Sequence, residues 1–424
     1  MRDRRSIIHL LEMLVASLVV VAGFFFFFAM HHSATLQRSL ARADVAEMIV
    51  SVSTATKSFS GPTTILATRA SDGKHMWDYA SAQHVTVRAA LSVQGHVVYA
   101  KLNEEISALQ VDDGRLRWRV SLPLPFPVSD YGSGLGNMIV DQGLVLAQAY
   151  DSDQGSATLF ALRAKDGKVL WQYQTGSGDL FTVANGSVYT ASPHGSLFNL
   201  VSLQETTGRV LWSQNFAPSS LAVQGNTVYA FSFISPFSKK FSGSASEGKA
   251  EMRFLALNAQ NGKVRWFSRR KVPISSFDAT RASLRIEKDR LLLFNGLHIC
   301  AYATSDGHAL WCMLHTVLAT TLGTEGIPFV VVNNLLYAIS SPSFPLDTPM
   351  QLEAVDSDTG AVKWAKVMPD SSILISILND RVYILAAHDA RLPTDTIYTF
   401  GLKDGQVLWQ HGVPFDTLAV VMGN

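Results

Sequence analysis

The chain has 424 residues, 47% hydrophobic and 16% charged, and its 35 Lys and Arg against 34 Asp and Glu leave a formal net charge of +1. That composition supplies core enough for several domains or one large repeat array and excludes disorder as the main state. A charge near zero with no Lys/Arg run longer than three excludes nucleic acid as a partner, and Cys300 and Cys312 are too few for a four-thiolate zinc site or an iron-sulfur cluster.

The first element is an apolar stretch over residues 7–30, in which Met13 to Met30 carries no charge and Phe24 to Phe28 form one run. As a helix those uncharged residues span ~27 Å, close to the ~30 Å hydrocarbon core of a bilayer. Arg2, Arg4 and Arg5 precede it, so residues 1–6 read as a cytoplasmic tail, 7–30 as a transmembrane signal anchor, and 31–47 as a polar linker on the far side. The expected location is therefore the cell membrane, single-pass, with everything after the anchor extracytoplasmic. A cleaved secretory signal is the alternative, but its nearest small-x-small site, Ala41-Arg42-Ala43, lies well past the apolar end. Both readings export the rest.

From there a repeat organises the chain. All eight tryptophans stand four residues after a glycine that is itself preceded by Asp, Asn or Thr. The pairs are Gly73 with Trp77, Gly114 with Trp118, Gly167 with Trp171, Gly208 with Trp212, Gly262 with Trp266, Gly307 with Trp311, Gly360 with Trp364, and Gly405 with Trp409. Strand-like runs flank each turn, as Leu159 to Leu162 and Val169 to Tyr173 do in the third copy, which reads as a hairpin. Ahead of most hairpins sits a second polar turn before a Val/Leu-rich strand ending in Tyr. Gln94-Gly95 before Tyr99, Asn185-Gly186 before Tyr189 and Asn333-Asn334 before Tyr337 are examples.

The period is thus four short strands in a unit of roughly 47 residues, which must stack on its neighbours to bury both faces. Closed radial stacking predicts an all-β, eight-bladed propeller over residues 48–424, preceded by the transmembrane helix. The first unit lacks its opening strand, so Thr417 to Met422 is expected to supply it beside Ile49 to Val52 and join the two ends.

These residues resemble the pyrroloquinoline-quinone-type propeller repeat, whose docking motif reads Ala-x-Asp-x-x-Thr-Gly-Lys-x-x-Trp. Ala354, Asp356, Thr359, Gly360 and Trp364 follow it closely, and Ala161, Gly167, Lys168 and Trp171 keep most of it. The third position departs in the other seven copies, which carry Arg69, Gln110, Arg163, Gln204, Asn258, Ala303 and Gly401. The resemblance implies tryptophans packed between blades, with that third position contributing to hydrogen bonding between blades.

The family it resembles includes quinoprotein dehydrogenases and non-catalytic scaffolds such as the propeller lipoprotein of outer-membrane assembly. The dehydrogenases resemble one another in a tryptophan beneath the quinone, a vicinal disulfide above it, and acidic and amide ligands for calcium. Here every tryptophan belongs to a docking motif, and Cys300 and Cys312 are not adjacent. The cysteines lie symmetrically about Asp306 in one hairpin, as either a cross-strand disulfide or two separate apolar thiols, and separate thiols are the expectation. No catalytic, cofactor-binding or metal residue is assigned. Asp151-Ser152-Asp153 lacks the glutamate of a calcium loop, and Gly243 to Lys249 lacks the hydroxyl of a phosphate loop.

In such blades the loops after the second and fourth strands open on one face. Four are long: Pro123 to Gly136, Ser232 to Glu251, Ser340 to Met350 and His388 to Thr396. They carry Phe126, Tyr131, Phe233, Phe237, Lys239, Lys240 and Phe344, a mixture suited to a protein partner. The functional expectation is a membrane-anchored, non-catalytic interaction or scaffold module. The alternative is a dehydrogenase holding pyrroloquinoline quinone and calcium in the central channel.

Overall fold

The computed structural model describes residues 48–421 apart from 55–62, 82–88, 103–104, 123–137, 152–155, 177–179, 195–196, 235–248, 274–281, 296–297, 315–328, 341–349, 369–371, 379, 387–393 and 415–417. The expected tail, anchor and linker at 1–47 lie outside the described residues.

Within them the chain forms eight antiparallel four-stranded sheets, one for each tryptophan. Blade 2 runs Ala89–Gln94, Val97–Leu102, Glu105–Gln110 and Leu116–Ser121. Blade 3 runs Met138–Asp141, Leu144–Asp151, Ser156–Arg163 and Val169–Thr175, and blade 4 runs Phe181–Ala184, Ser187–His194, Leu197–Gln204 and Val210–Gln214. Blade 5 has Ser220–Gln224, Thr227–Ile234, Lys249–Asn258 and Val264–Pro273. Blade 6 has Ser283–Glu287, Arg290–Phe294, His298–Ala303 and Ala309–Leu314. Blade 7 has Phe329–Val332, Leu335–Ser340, Gln351–Asp356 and Val362–Val367, and blade 8 has Ser372–Leu378, Arg381–Ala386, Thr394–Gly401 and Val407–Pro414.

Blade 1 is built from both ends of the propeller. Leu418–Val421 is its first strand and pairs antiparallel with Met48–Thr54, Val52 opposite Leu418 and Ile49 opposite Val421, followed by Thr63–Arg69 and His75–Ser81. The expected closure is therefore present over Leu418–Val421, and Thr417 and Met422 lie outside the described residues. First strands of successive blades touch around the ring, blade 1 with 2, 2 with 3, 3 with 4, 4 with 5, 5 with 6, 7 with 8 and 8 with 1, so they lie innermost.

The core lies between the blades. The second strand is buried on both faces, as the unbroken burial of Val97 to Leu102 shows, and each apolar cluster crosses one blade boundary. One such cluster packs Tyr99 and Ile106 of blade 2 on Val145 and Phe160 of blade 3, and another packs Tyr383 and Ile397 of blade 8 on Ile49 of blade 1. A lone blade has no apolar layer to itself, which is why the unit repeats.

The repeated turn has a definite chemistry. In every copy the oxygen of the Asp, Asn or Thr before glycine accepts the N–H two residues on, as Asp166 Oδ1 does from Lys168 at 3.2 Å and Thr359 Oγ1 does from Ala361 at 3.3 Å. Those three residue types share that short-range acceptor, which explains why they alone occupy the position. The backbone N–H of Lys168 and of His308 holds the Asp166 and Asp306 carboxyls below the usual carboxylate range. Just before the turn each hairpin carries a bulge after the motif alanine or its substitute, which leaves Ala161 opposite Trp171 and Ala354 opposite Trp364. A small residue there gives the indole room.

Two expectations are corrected. The third motif position bonds within its own turn: Asp356 Oδ1 accepts from Asp358 and Thr359, Asn258 Oδ1 from Gln260 and Asn261, while Arg69 and Arg163 pair with Asp72 and Asp166. Its variation costs no bond between blades. Cys300 and Cys312 are joined by a disulfide, not held as separate thiols, because the bulge between Ala301 and Tyr302 puts them directly opposite on the third and fourth strands of blade 6.

Candidate functional site

Each tryptophan projects from an outer strand onto the glycine turn of the next blade. A Cβ on Gly208 would come within 2.7 Å of the Trp171 ring, and one on Gly262 within 2.7 Å of Trp212. Seven indoles also donate to a backbone carbonyl of that turn: Trp77 to Val111, Trp118 to Ala164, Trp171 to Glu205, Trp212 to Ala259, Trp266 to Thr304, Trp311 to Ser357 and Trp409 to Ala70. The last of these, at 3.0 Å, links blade 8 to blade 1 across 339 residues of sequence. Gly114, Gly167, Gly307, Gly360, Gly405 and Gly73 each receive the preceding blade's ring in the same way.

Sequence reading missed the second half of this joint. Tyr99, Tyr189, Tyr229, Tyr337 and Tyr383, on the second strands, lean on the tryptophan of their own blade with ring centroids 5.8 to 6.3 Å apart. The hydroxyls of Tyr99 and Tyr189 reach the carbonyl that the tryptophan already uses, Ala164 and Ala259. In blade 7 the Trp364 indole N–H has no partner among the described residues, and the Tyr337 hydroxyl takes the Leu402 carbonyl at 3.2 Å instead. The regular spacing of these tyrosines behind the polar turns was the available signal.

The site implied by the quinoprotein resemblance does not fit the described residues. The indoles stand at blade boundaries, the disulfide joins residues 12 apart on the outer strands of blade 6, and no set of three His, Cys, Asp or Glu that could hold a metal occurs among the described residues. The first strands that ring the axis are apolar or small, with Arg285 in blade 6 as the one charge away from their ends. Burial pushes the Arg285 guanidinium below its ordinary value. The buried Glu205, whose carboxyl is pushed up by desolvation and then by Asp141, lies in the turn that receives Trp171.

Of the residues expected on the partner face, Phe126, Tyr131, Phe237, Lys239, Lys240 and Phe344 lie outside the described residues, as does His388. Phe233 is corrected: it belongs to the second strand of blade 5 opposite Met252, half-buried against the cluster shared with blade 6. The expected Ser232 to Glu251 loop is accordingly shorter, since both strands run further and leave residues 235–248 between them. His194 is exposed at the end of its strand. Among the described residues, exposed large apolar side chains concentrate on the outer strands, at Leu116, Leu170, Leu211, Val264, Phe267, Leu310, Val362 and Leu408.

A family model described as outer membrane protein assembly factor BamB matches residues 61–188 and 176–411. BamB from Moraxella catarrhalis shares the fold with a TM-score of 0.52 and 17% identity, covering 81% of this chain and 89% of that one. The quinohemoprotein alcohol dehydrogenase ADHIIG from Pseudomonas putida HK5 is similar with a TM-score of 0.54 and 14% identity, over 80% of this chain and 68% of that one. AztD from Citrobacter koseri has a TM-score of 0.52 at 11% identity, covering 89% and 99%. No curated protein matches in sequence. At these identities the structural likeness establishes the propeller and nothing of its use.

Proposed function

From the premise that this chain belongs to the BamB-type family of pyrroloquinoline-quinone-repeat propellers, we propose that it is a membrane-anchored, extracytoplasmic, non-catalytic propeller that holds a protein partner. The observation that carries this reading is the use of the tryptophans. All eight indoles are spent on joining blades, so the aromatic surface that a quinone site would draw on serves the ring itself. A rigid closed ring with long connections on one face is a platform of the kind on which binding loops are displayed.

The apolar stretch at 7–30 supports anchoring, and the Cys300–Cys312 disulfide supports an oxidising compartment. The full chain in detergent, given pyrroloquinoline quinone, calcium and an electron-accepting dye, is expected to oxidise neither primary alcohols nor aldoses above the protein-free rate. Quinone-dependent dye reduction that scales with protein and substrate would replace this reading with a dehydrogenase.

A further inference from the structure

Blade 5 differs from the other seven at its rim. Its third and fourth strands are each 10 residues long, and the hairpin from Lys249 to Pro273 carries seven Lys or Arg and one acid, Glu251, in a chain of net charge +1. Along the fourth strand the exposed side chains alternate strictly: Arg265, Phe267, Arg269 and Lys271 stand on one face, while Trp266, Ser268 and Arg270 turn toward blade 6. Arg270 is used by the ring, donating to the Gly307 carbonyl at 3.1 Å and lying over the Tyr302 ring. No side-chain hydrogen bond joins Arg269 or Lys271 to the described residues; both charges act on Glu251, which stands directly opposite Lys271.

Two features mark this face as more than a charged rim. Arg269 is directly opposite Arg253, a like-charge pairing that opposes the sheet it sits in. The single acid relieves it only in part: Glu251 accepts from Arg253, and that bond, with the charges of Arg253, Arg269 and Lys271, holds its carboxyl below the usual range. Phe267, 50% exposed, sits between the cations, where the residue after tryptophan in the other blades is Asp78, Arg119, Gln172, Ser213, Cys312, Ala365 or Gln410. Charges that merely blunt a sheet edge need no phenyl ring among them.

We propose that the outer strand of blade 5 is a docking edge for an extended acidic segment of a protein partner, a reading that rests on the interaction-module function above. Val264–Pro273 has no strand on its outer side among the described residues, so its outward N–H and C=O groups are available along ~34 Å of edge. A strand added there places side chains at the same two-residue period as Arg265, Phe267, Arg269 and Lys271, so acidic residues alternate with the cations and an apolar one meets Phe267. An anionic lipid surface or a polyphosphate answers the charge and leaves the backbone edge unused.

The test uses the full chain in detergent and a fluorescent nine-residue peptide alternating Glu with Val around a central Tyr, followed by anisotropy at low salt. Saturable binding is expected, weakened at least about tenfold both in the Arg269→Glu/Lys271→Glu variant and when the peptide backbone is N-methylated. The variant is expected to melt close to the parent, because a carboxylate at position 269 opposite Arg253 replaces repulsion with attraction while one at position 271 opposite Glu251 does the reverse. Failure to saturate, equal binding by the variant, or equal binding by the N-methylated peptide overturns the proposal. Binding of polyphosphate or phosphatidylglycerol vesicles that the variant loses, with the peptide inert, assigns the edge to a polyanion or a membrane and also overturns it. Loss of peptide binding in a chain that turns over no alcohol or sugar sinks this edge alone, whereas quinone-dependent turnover sinks the scaffold function with it.

Discussion

Trp171→Ala is expected to destabilise the propeller by about 3 to 5 kcal/mol in denaturant titrations, the range for a large aromatic removed from a packed boundary. The ring covers the Gly208 turn of blade 4 and packs with Tyr173 on the cluster of Leu159, Phe181 and Leu203, so its loss opens a cavity that two rigid sheets cannot close. It also orphans the Glu205 carbonyl, which the indole N–H bonds at 2.8 Å. A conservative series separates the two causes. Trp171→Phe keeps most of the packing and loses the bond, whereas Trp364→Phe has no indole bond to lose. The first is therefore expected to cost about 1 kcal/mol more than the second. Equal costs would mean that the indole bonds contribute nothing to holding blades together.

Gly114→Ala is expected to cost about 2 to 5 kcal/mol, and Gly95→Ala only about 1 to 2 kcal/mol. Both glycines have positive φ, +69° and +57°, so both substitutions carry the same left-handed backbone penalty. They differ in what a methyl group meets. At Gly114 it would lie 2.6 Å from Cε3 of Trp77, while at Gly95 nothing stands within 4 Å. The difference between the two variants reads the closeness of blade 1 to blade 2 directly. If the two costs match, the glycine is required by its turn and not by its neighbour's tryptophan.

Much of this architecture is legible in the sequence because the repeat is made of local chemistry. An Asp, Asn or Thr before a left-handed glycine bonds two residues ahead whatever surrounds it, so eight such turns with eight tryptophans count eight blades. The closing strand is legible for a similar reason: one unit lacks a strand and one end of the chain has a spare. The disulfide escapes a reading that leaves the hairpin's register open. The bulge at the motif alanine sets that register in every copy, Ala301 facing Trp311 just as Ala161 faces Trp171, and Cys300 with Cys312 is the next pair outward. The tyrosines read only as strand ends, since their partner carbonyls belong to another blade and a distance of 65 or 70 residues leaves no local mark. Phe233 reads as part of a loop because long inserted loops and long strands look alike where Ser, Phe and Ile follow a strand. The extra length of blade 5, which lifts Arg269 and Lys271 to the rim, follows from pairing across the insertion and not from any single residue.

The claim at the centre of this account is that the ring is a scaffold and its aromatics are architecture. Titration of the purified full chain with pyrroloquinoline quinone and calcium, following quinone absorbance and melting temperature together, tests it most directly, because a ligand specific for the folded state must stabilise it. The account predicts no saturable spectral change and an unmoved melting temperature at ligand concentrations far above those of the protein. A saturable change with a rising melting temperature would show a quinone site in the ring and contradict it.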